Sequence, residues 1–405
     1  MKCSNKHILL GISGGIAAYK IPELIRSLKK NGAEVRVTTT RHALEFVTPL
    51  TLQTLSGHPV YSDVFAAINE HSTEHISLPD WCDLMLIAPA TANVLGKMAN
   101  GIADDALTTT FCSCAARKPI VIAPAMNDKM WECPATQKAV SELRSWQGVT
   151  VLEPAEGELA CGVVGKGRMP EIEVLQEAIE AALTPKTMSG QRVLITAGAT
   201  QEQLDPVRFL SNYSTGKMGF ALARECAHRG AEVTLVAGAT VLHIDDAHHV
   251  RRIDALSAQA MYDMCVAEWP KHNLAILCAA VADFTPAETA GEKIKKQPGQ
   301  TELQLSLRTT PDIARALGES KRADQRLIGF ALETANEEQN ALRKLESKHM
   351  DAIVLNSLRH EGAGFGTDTN CVTIFTADGH SVSLPLANKA EIAAGIVECI
   401  VASRR

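Results

Sequence analysis

Nowhere in the 405 residues does an uninterrupted apolar run approach the roughly 18 residues that a membrane-spanning helix needs. Residues 1–20 lack the basic, apolar and cleavage regions of a signal peptide, so a soluble, cytoplasmic protein with no membrane partner is expected. There is no Cys-x-x-Cys pair: eleven cysteines are scattered through the chain, Cys112 and Cys114 being the closest. That spacing suits neither a zinc site nor a disulfide framework, and it leaves most of the thiols as small buried hydrophobes in a reducing compartment. Nor is there an excess of positive charge. Forty Lys+Arg against 46 Asp+Glu give a net charge of -6, split as 17 against 20 up to Met188 and 23 against 26 after it. A nucleic-acid partner is not expected of such a chain. With 46% hydrophobic and 21% charged residues it can bury a sizeable core, and its length suggests two or three domains.

The first forty residues read strand, Gly-rich turn, helix, strand. His7 to Ser13 is an apolar run broken by Gly14-Gly15; Ile21, Leu24, Ile25 and Leu28 then fall on one helical face, and Lys29, Lys30 and Gly32 close the helix. Glu34 to Thr40 is the next strand, and Leu84 to Ala88 and Pro119 to Ala123 are all-apolar strands of a sheet buried on both faces. After a helix over Glu171 to Leu183, the turn formers of Thr184 to Gln191 mark a boundary, which places domains at 1–188 and 189–405. The pattern restarts with a strand at Arg192 to Gly198, a helix at Lys217 to Arg229 and a strand at Glu232 to Gly238. Gly32-Ala33-Glu34-Val35 recurs as Gly230-Ala231-Glu232-Val233 at the same corner. Further strands are expected at Leu274 to Ala280, Thr301 to Arg308, Leu327 to Leu332 and Ala352 to Asn356. A hairpin over Asn370 to Leu386 turns at Asp378-Gly379, and a closing helix from Asn388 to Ala402 is capped by Asn388. The fold class is therefore α/β, with two open parallel sheets, each offering a crevice at the carboxyl ends of its strands.

Gly11-Ile12-Ser13-Gly14-Gly15 sits where backbone N–H groups can cradle a phosphate, although it is not G-x-G-x-x-G and a plain tight turn fits it too. Pro124-Ala125-Met126-Asn127-Asp128-Lys129-Met130-Trp131 follows a strand at the same edge, where an Asn can donate to a carboxylate and accept an amide N–H. Cys161 lies in a segment with Gly162, Gly165 and Gly167 that reads as a mobile flap, exposing its thiol to substrate. His75 stands between strands, and spacing alone does not select it from thirteen histidines.

Taken together, the Gly-rich start, the His75 segment, Ala88-Pro89-Ala90-Thr91-Ala92-Asn93, Pro-Ala-Met-Asn-x-x-Met-Trp and Ala160-Cys161-Gly162 resemble the flavin-dependent cysteine decarboxylases, specifically phosphopantothenoylcysteine decarboxylase. In the second half, Asp205-Pro206-Val207-Arg208, Ser211-Asn212-Tyr213-Ser214-Thr215-Gly216-Lys217-Met218-Gly219, Ala279-Ala280-Val281-Ala282-Asp283 and Lys293-Ile294-Lys295-Lys296 resemble phosphopantothenate-cysteine ligase. The whole chain is thus similar to the bifunctional family of bacterial coenzyme A biosynthesis. Gln201 and Leu332 stand where that pattern has Arg and Ala.

The resemblance implies a flavodoxin-like flavoprotein domain and a Rossmann-like ligase domain. In the first it implies FMN, with Ser13, Gly14, Gly15, Thr40, Thr91 and Asn93 as its contacts, His75 as base, Asn127 holding the substrate and Cys161 as late proton donor. Oxidising the side-chain thiol to a thioaldehyde puts C=S β to the carboxylate, so that CO2 can leave. In the second half it implies CTP with Mg2+ or Mn2+, an acyl-cytidylate made from 4'-phosphopantothenate, and L-cysteine displacing CMP. Asn212 and Lys293 are the implied catalytic residues there. Ala279, Ala280, Asp283, Lys293, Pro311, Asp312, Phe330, Lys344 and Lys348 meet the nucleotide, Asp283 also meeting the metal. The product, 4'-phosphopantothenoylcysteine, is the substrate of the first half. The family further implies a homo-oligomer, with flavin sites between subunits in trimers of a dodecamer and ligase halves paired as dimers. The competing classes are a noncatalytic flavin-binding regulator, which the joint presence of His75, Asn127 and Cys161 disfavours, and a chain with only one active half.

Overall fold

A computed structural model describes residues 3–65, 73–158, 162, 164–244, 250–333, 335–357, 362, 364 and 366–402. The chain forms two compact units, Met1–Thr184 and Pro185–Arg405.

The first unit holds a six-stranded parallel sheet of β1 (His7–Ile12), β2 (Glu34–Thr39), β3 (Val60–Tyr61), β4 (Leu84–Ala90), β5 (Ile120–Pro124) and β6 (Val149–Val151), in the order β3-β2-β1-β4-β5-β6. With the two-residue β3 set aside, this is the 2-1-3-4-5 order of flavodoxin-type sheets, and the chain reverses direction between β1 and β4. Side chains alternate across the sheet. Ile8, Leu10 and Ile12 pack with α1 (Ile21–Lys30) on one face, while Leu9, Met85 and Ile87 face the opposite core. The helix predicted from Ile21, Leu24, Ile25 and Leu28 buries those four side chains completely. Further helices are α2 (Pro49–Ser56), α3 (Glu74–Trp81), α4 (Ala92–Ala99), α5 (Ala106–Cys114), α6 (Asp128–Glu132), α7 (Pro134–Ser145) and α8 (Ile172–Leu183). α8 joins α1 on its face, and α4, α5 and α7 cover the other. The segment around Cys161, expected as a flap without regular structure, has paired arms: β7 (Ala155–Glu158) and β8 (Val164–Arg168) form an antiparallel hairpin.

The second unit repeats the plan. Its main sheet runs β13-β12-β9-β14-β17-β18-β19-β20, from β9 (Arg192–Ala197), β12 (Glu232–Ala237), β13 (Val250–Asp254), β14 (Leu274–Leu277), β17 (Arg326–Glu333), β18 (Ala352–Ser357), β19 (Thr369–Thr376) and β20 (Ser381–Asn388). The first six are parallel in Rossmann order, reversing between β9 and β14, and the expected hairpin adds β19 and β20 antiparallel. Pairing along that hairpin slips between Asn370 and Val372, which puts Pro385 and Leu386 of the outermost strand opposite Cys371. α9 (Lys217–His228) and α13 (Lys389–Ala402) cover one face; α10 (Ala258–Glu268), α11 (Ile313–Glu319) and α12 (Glu337–Ser347) cover the other. Asn388 caps α13 as expected, its Oδ1 accepting from Glu391 N at 2.9 Å.

Two small ladders were not foreseen: β10 (Gln201–Gln203) with β11 (Phe209–Ser211), and β15 (Phe284–Pro286) with β16 (Leu307–Thr309). The latter corrects the strand expected at Thr301 to Arg308, because only its end is paired. Leu303, Leu305 and Leu307 alternate as a strand does, but they are 41–52% exposed: no sheet face is there to bury them. The strand expected at Leu274 to Ala280 stops at Leu277: Thr196 Oγ1 takes the Ala279 N–H in place of a backbone carbonyl, and only a single parallel bridge, Ala280 with Ala199, follows.

Candidate active sites

The first unit's crevice opens where β1 and β4 diverge and encloses about 1050 Å³. Five of the six residues assigned to a flavin line it: Gly14, Gly15, Thr40, Thr91 and Asn93. Ser13 lies beneath. It is fully buried, and its Oγ donates to Pro89 O at 2.6 Å and accepts from Thr91 N at 3.0 Å, tying the end of β1 to the end of β4. Gly14 is required by space, because a Cβ there would stand 2.6 Å from His42 Cβ. The Oγ1 atoms of Thr38, Thr39 and Thr40, at the end of β2, are buried without a hydrogen-bond partner, and Thr40 faces the crevice. Buried hydroxyls of this kind are costly unless a ligand or water satisfies them.

Asn127 lines the crevice as the cap of α6, its Oδ1 accepting from Lys129 N at 3.0 Å. The β7–β8 hairpin docks on the same turn: Met126 N donates to Gly167 O at 2.9 Å, and a Cβ on Gly167 would lie 2.2 Å from Met126 O. Cys161, between the hairpin arms, is outside the described residues. His75 stands between strands as expected, half-buried in the first turn of α3 between β3 and β4, but it is not among the residues lining this crevice. Sequence reasoning missed Tyr19, Lys20, Arg41, His42, Met130 and Arg168 in the lining. Of these, Met130 lay inside the Pro-Ala-Met-Asn motif and Arg168 at the end of the glycine-rich segment around Cys161; the others carry no periodic signal. Lys20 is 2.9 Å and Arg168 is 3.1 Å from Glu171, whose carboxyl is held below its ordinary range, chiefly by the hydrogen bond from Lys20.

The second unit's crevice, about 640 Å³, opens between β9 and β14. It brings together Asn212, Ala279, Ala280, Asp283, Pro311, Asp312, Phe330, Lys344 and Lys348, all singled out from sequence. Asn212 Nδ2 donates to Ala280 O (3.1 Å) and Val281 O (3.3 Å), so this side chain shapes the loop after β14. Asp312 caps α11 and lies 3.0 Å from Lys348 Nζ. Burial raises its pKa, but the Arg315 N–H and Lys348 outweigh that and hold it low. Lys344 is 2.6 Å from Glu333. Lys293 is not in the lining; it is exposed on the segment between β15 and β16. Lys217 and Lys389 do line the crevice, at the first positions of α9 and α13. Lys217 lay in a quoted motif, whereas Lys389 had only its place after a helix cap. Among the described residues no three His, Cys, Asp or Glu side chains cluster to hold a metal, and no helix is long and apolar enough to cross a membrane.

Residues 1–184 match the family described as Flavoprotein, and residues 188–403 match the DNA/pantothenate metabolism flavoprotein C-terminal domain. The coenzyme A biosynthesis bifunctional protein CoaBC of Bacillus subtilis is 46% identical over 403 residues, covering 98% of this chain and 97% of that one. The protein of the same name from Escherichia coli K12 is 42% identical over 391 residues, 96% of this chain and 95% of that one. A cysteine/cysteine sulfinic acid decarboxylase from an unknown prokaryotic organism is 48% identical over 360 residues, 88% of this chain and 99% of its own. With both halves matched and near full-length identity above 40%, the chain belongs to the family of bifunctional coenzyme A biosynthesis proteins.

Proposed function

We propose that the chain makes 4'-phosphopantetheine in two consecutive steps. The second unit condenses 4'-phosphopantothenate with L-cysteine at the expense of CTP, and the first decarboxylates the resulting 4'-phosphopantothenoylcysteine with FMN. The observation that carries the reading is the pair of separate crevices, each at the switch point of its own sheet, the first lined by five of the six expected flavin contacts and Asn127, the second by Asn212, Asp283, Lys344 and Lys348.

The first crevice fits FMN. Its glycine turn has no room for a Cβ at Gly14, so backbone N–H groups can approach a phosphate closely, and the orphaned Thr40 hydroxyl offers a polar partner. When bound, the flavin supplies the two-electron chemistry that turns the substrate's CH2–SH into C=S and later reverses it. The protein's part is to position and to move protons. Asn127, fixed as a helix cap, meets the substrate carboxylate or amide; His75 takes the first proton; Cys161 returns one at the end. Because His75 does not line its own chain's crevice, its role is consistent with a homo-oligomer in which a second copy's α3 completes the site.

In the ligase half a carboxylate has no leaving group, so CTP activates it as an acyl-cytidylate. Lys344, Lys348 and Lys293 offset the phosphate charge, and Asn212 orients the activated acyl group for attack by the cysteine amine. Asp283, exposed at the crevice, suits Mg2+ or Mn2+ that arrives on the triphosphate and takes most of its ligands from phosphate and water.

The test uses the full-length protein with CTP, Mg2+, 4'-phosphopantothenate and cysteine. CMP, CO2 and 4'-phosphopantetheine should form in equal amounts, and the purified protein should release FMN on denaturation. Absence of CO2 from synthetic 4'-phosphopantothenoylcysteine would remove the decarboxylase half, and absence of CMP the ligase half. The decarboxylase relative motivates a second reading, that free cysteine is the substrate of the first crevice. Faster CO2 release from cysteine than from 4'-phosphopantothenoylcysteine would favour it.

A further inference from the structure

Asp205 is a carboxylate 1% exposed to solvent, in the turn that joins β10 to β11. Its Oδ1 accepts from Val207 N (2.8 Å) and Arg208 N (2.9 Å), which closes that turn. Its Oδ2 accepts from Arg208 Nε (3.0 Å) and a terminal guanidinium nitrogen (2.5 Å), and also from Ile294 N at 3.1 Å. The same guanidinium nitrogen donates to Ile294 O at 2.7 Å. One ion pair thus captures both backbone groups of a residue far along the chain, and that residue sits between Lys293 and Lys295. Two more bonds join the same elements upstream: Ala290 N to Leu204 O (3.0 Å) and Thr289 Oγ1 to Gln203 O (3.2 Å). The next bonds along the segment, between Gln297 and Gln300, are local.

We propose that the Asp205–Arg208 pair is a clasp that holds the segment carrying Lys293, Lys295 and Lys296 at a fixed register, and that Asp205 is thereby a positioning residue of the ligase. Closing the turn requires only the Val207 and Arg208 amides; engagement of the Ile294 N–H and C=O adds nothing to it and fixes the segment instead. The segment needs such a fixture. It is exposed, flanked by Gly291, Pro298 and Gly299, and lies outside any strand from Gly291 to Ser306. Lysines on it can serve a triphosphate only if their range is restricted. Arg208 and the three amides also hold the Asp205 carboxyl well below the ordinary carboxylate range, so the clasp stays charged at any pH near neutrality. The geometry stands by itself; its consequence for catalysis rests on the ligase reading.

The test takes the full-length chain and reads limited trypsin cleavage after Lys295 and Lys296 in the wild type, Asp205→Asn and Ile294→Pro. The last variant removes the Ile294 N–H donor and leaves the carboxylate–guanidinium pair intact. Both variants should be cut at least about tenfold faster there, with other sites and flavin content unchanged. Ligation by Asp205→Asn should lose turnover with little change in KM for CTP, and Asp205→Asn combined with Lys293→Gln should be no slower than Lys293→Gln alone, because the two act as a unit. Unchanged cleavage in both variants, or losses that multiply, would overturn the clasp. If Asp205→Asn loosens the whole unit, Ile294→Pro decides. If the cleavage difference is present but the wild type does not ligate, the clasp stands and the ligase reading fails.

Discussion

Gly14→Ala is the most economical perturbation of the first crevice. The added Cβ would sit 2.6 Å from His42 Cβ, 2.9 Å from His42 C and 3.1 Å from His42 O. Carbon atoms in contact prefer about 3.5–4.0 Å, so the glycine turn and the residues after Thr40 must part by about 1 Å. Overpacking of this kind costs about 1–3 kcal/mol. For a unit of this size that is a fall in Tm of roughly 2–12 °C, at about 2–4 °C per kcal/mol. If the strain falls on the bound state, the same energy weakens flavin binding about 5- to 150-fold. Gly15→Ala is the control: its nearest neighbour is Thr91 Cγ2 at 3.4 Å, and its φ of -146° is open to any residue. The assay is flavin absorbance per chain together with Tm for the two variants purified in parallel. Full flavin and an unshifted Tm in Gly14→Ala, or an equal loss in Gly15→Ala, would refute the argument.

Asn127→Asp keeps a good helix cap but places a charge where a carboxylate is to bind, so CO2 release should fall at least about a hundredfold with flavin content and Tm intact; parallel loss of flavin would return Asn127 to a structural role. Lys293→Gln should slow CMP release by roughly a hundred- to a thousandfold while decarboxylation of supplied 4'-phosphopantothenoylcysteine continues, and unchanged ligation would make the lysine segment a solvated surface loop. Burial holds the ring of His272 below its ordinary pKa, with Nδ1 on Glu268 O at 2.7 Å and Nε2 on Thr234 Oγ1 at 3.0 Å. The unfolded chain therefore takes up a proton near pH 6.5 that the folded chain resists, and second-unit stability should fall as pH drops from about 7 to about 5. Melting curves of His272→Gln should be flatter over that window, and an identical slope would rule the imidazole out as its cause.

Strands buried on both faces were legible from the sequence because their apolar runs have no other explanation: Leu84–Ala90 and Ile120–Pro124 are buried at every position. The motifs were legible too, since both switch points place quoted residues at one crevice edge. Thr301 to Arg308 shows the limit. Alternation records what a side chain could bury, not whether a partner strand exists, and there the partner is three residues long. His75 and Lys293 show another: a motif gives a residue's type and order along the chain, whereas membership of a cavity depends on how α3 and a strandless loop are packed. Tyr19, Arg41 and Lys389 were missed because a lone side chain after a turn or a cap carries no periodic signal.

The slip in the β19–β20 hairpin also bears on what the molecule avoids. β20 is the outer strand of an eight-stranded sheet, and an outer strand is a template for further strands. Pro385 has no N–H to offer and sits where the pairing is irregular, so an incoming strand meets both a missing donor and a bend. At the opposite margin, β13 carries Arg251 and Arg252 on its two faces, paired with Glu268 and Asp254, and charged side chains on an edge strand discourage edge pairing. Both margins of the sheet are blunted against growth, so two copies of this chain that meet have no ready route to fuse their sheets into one.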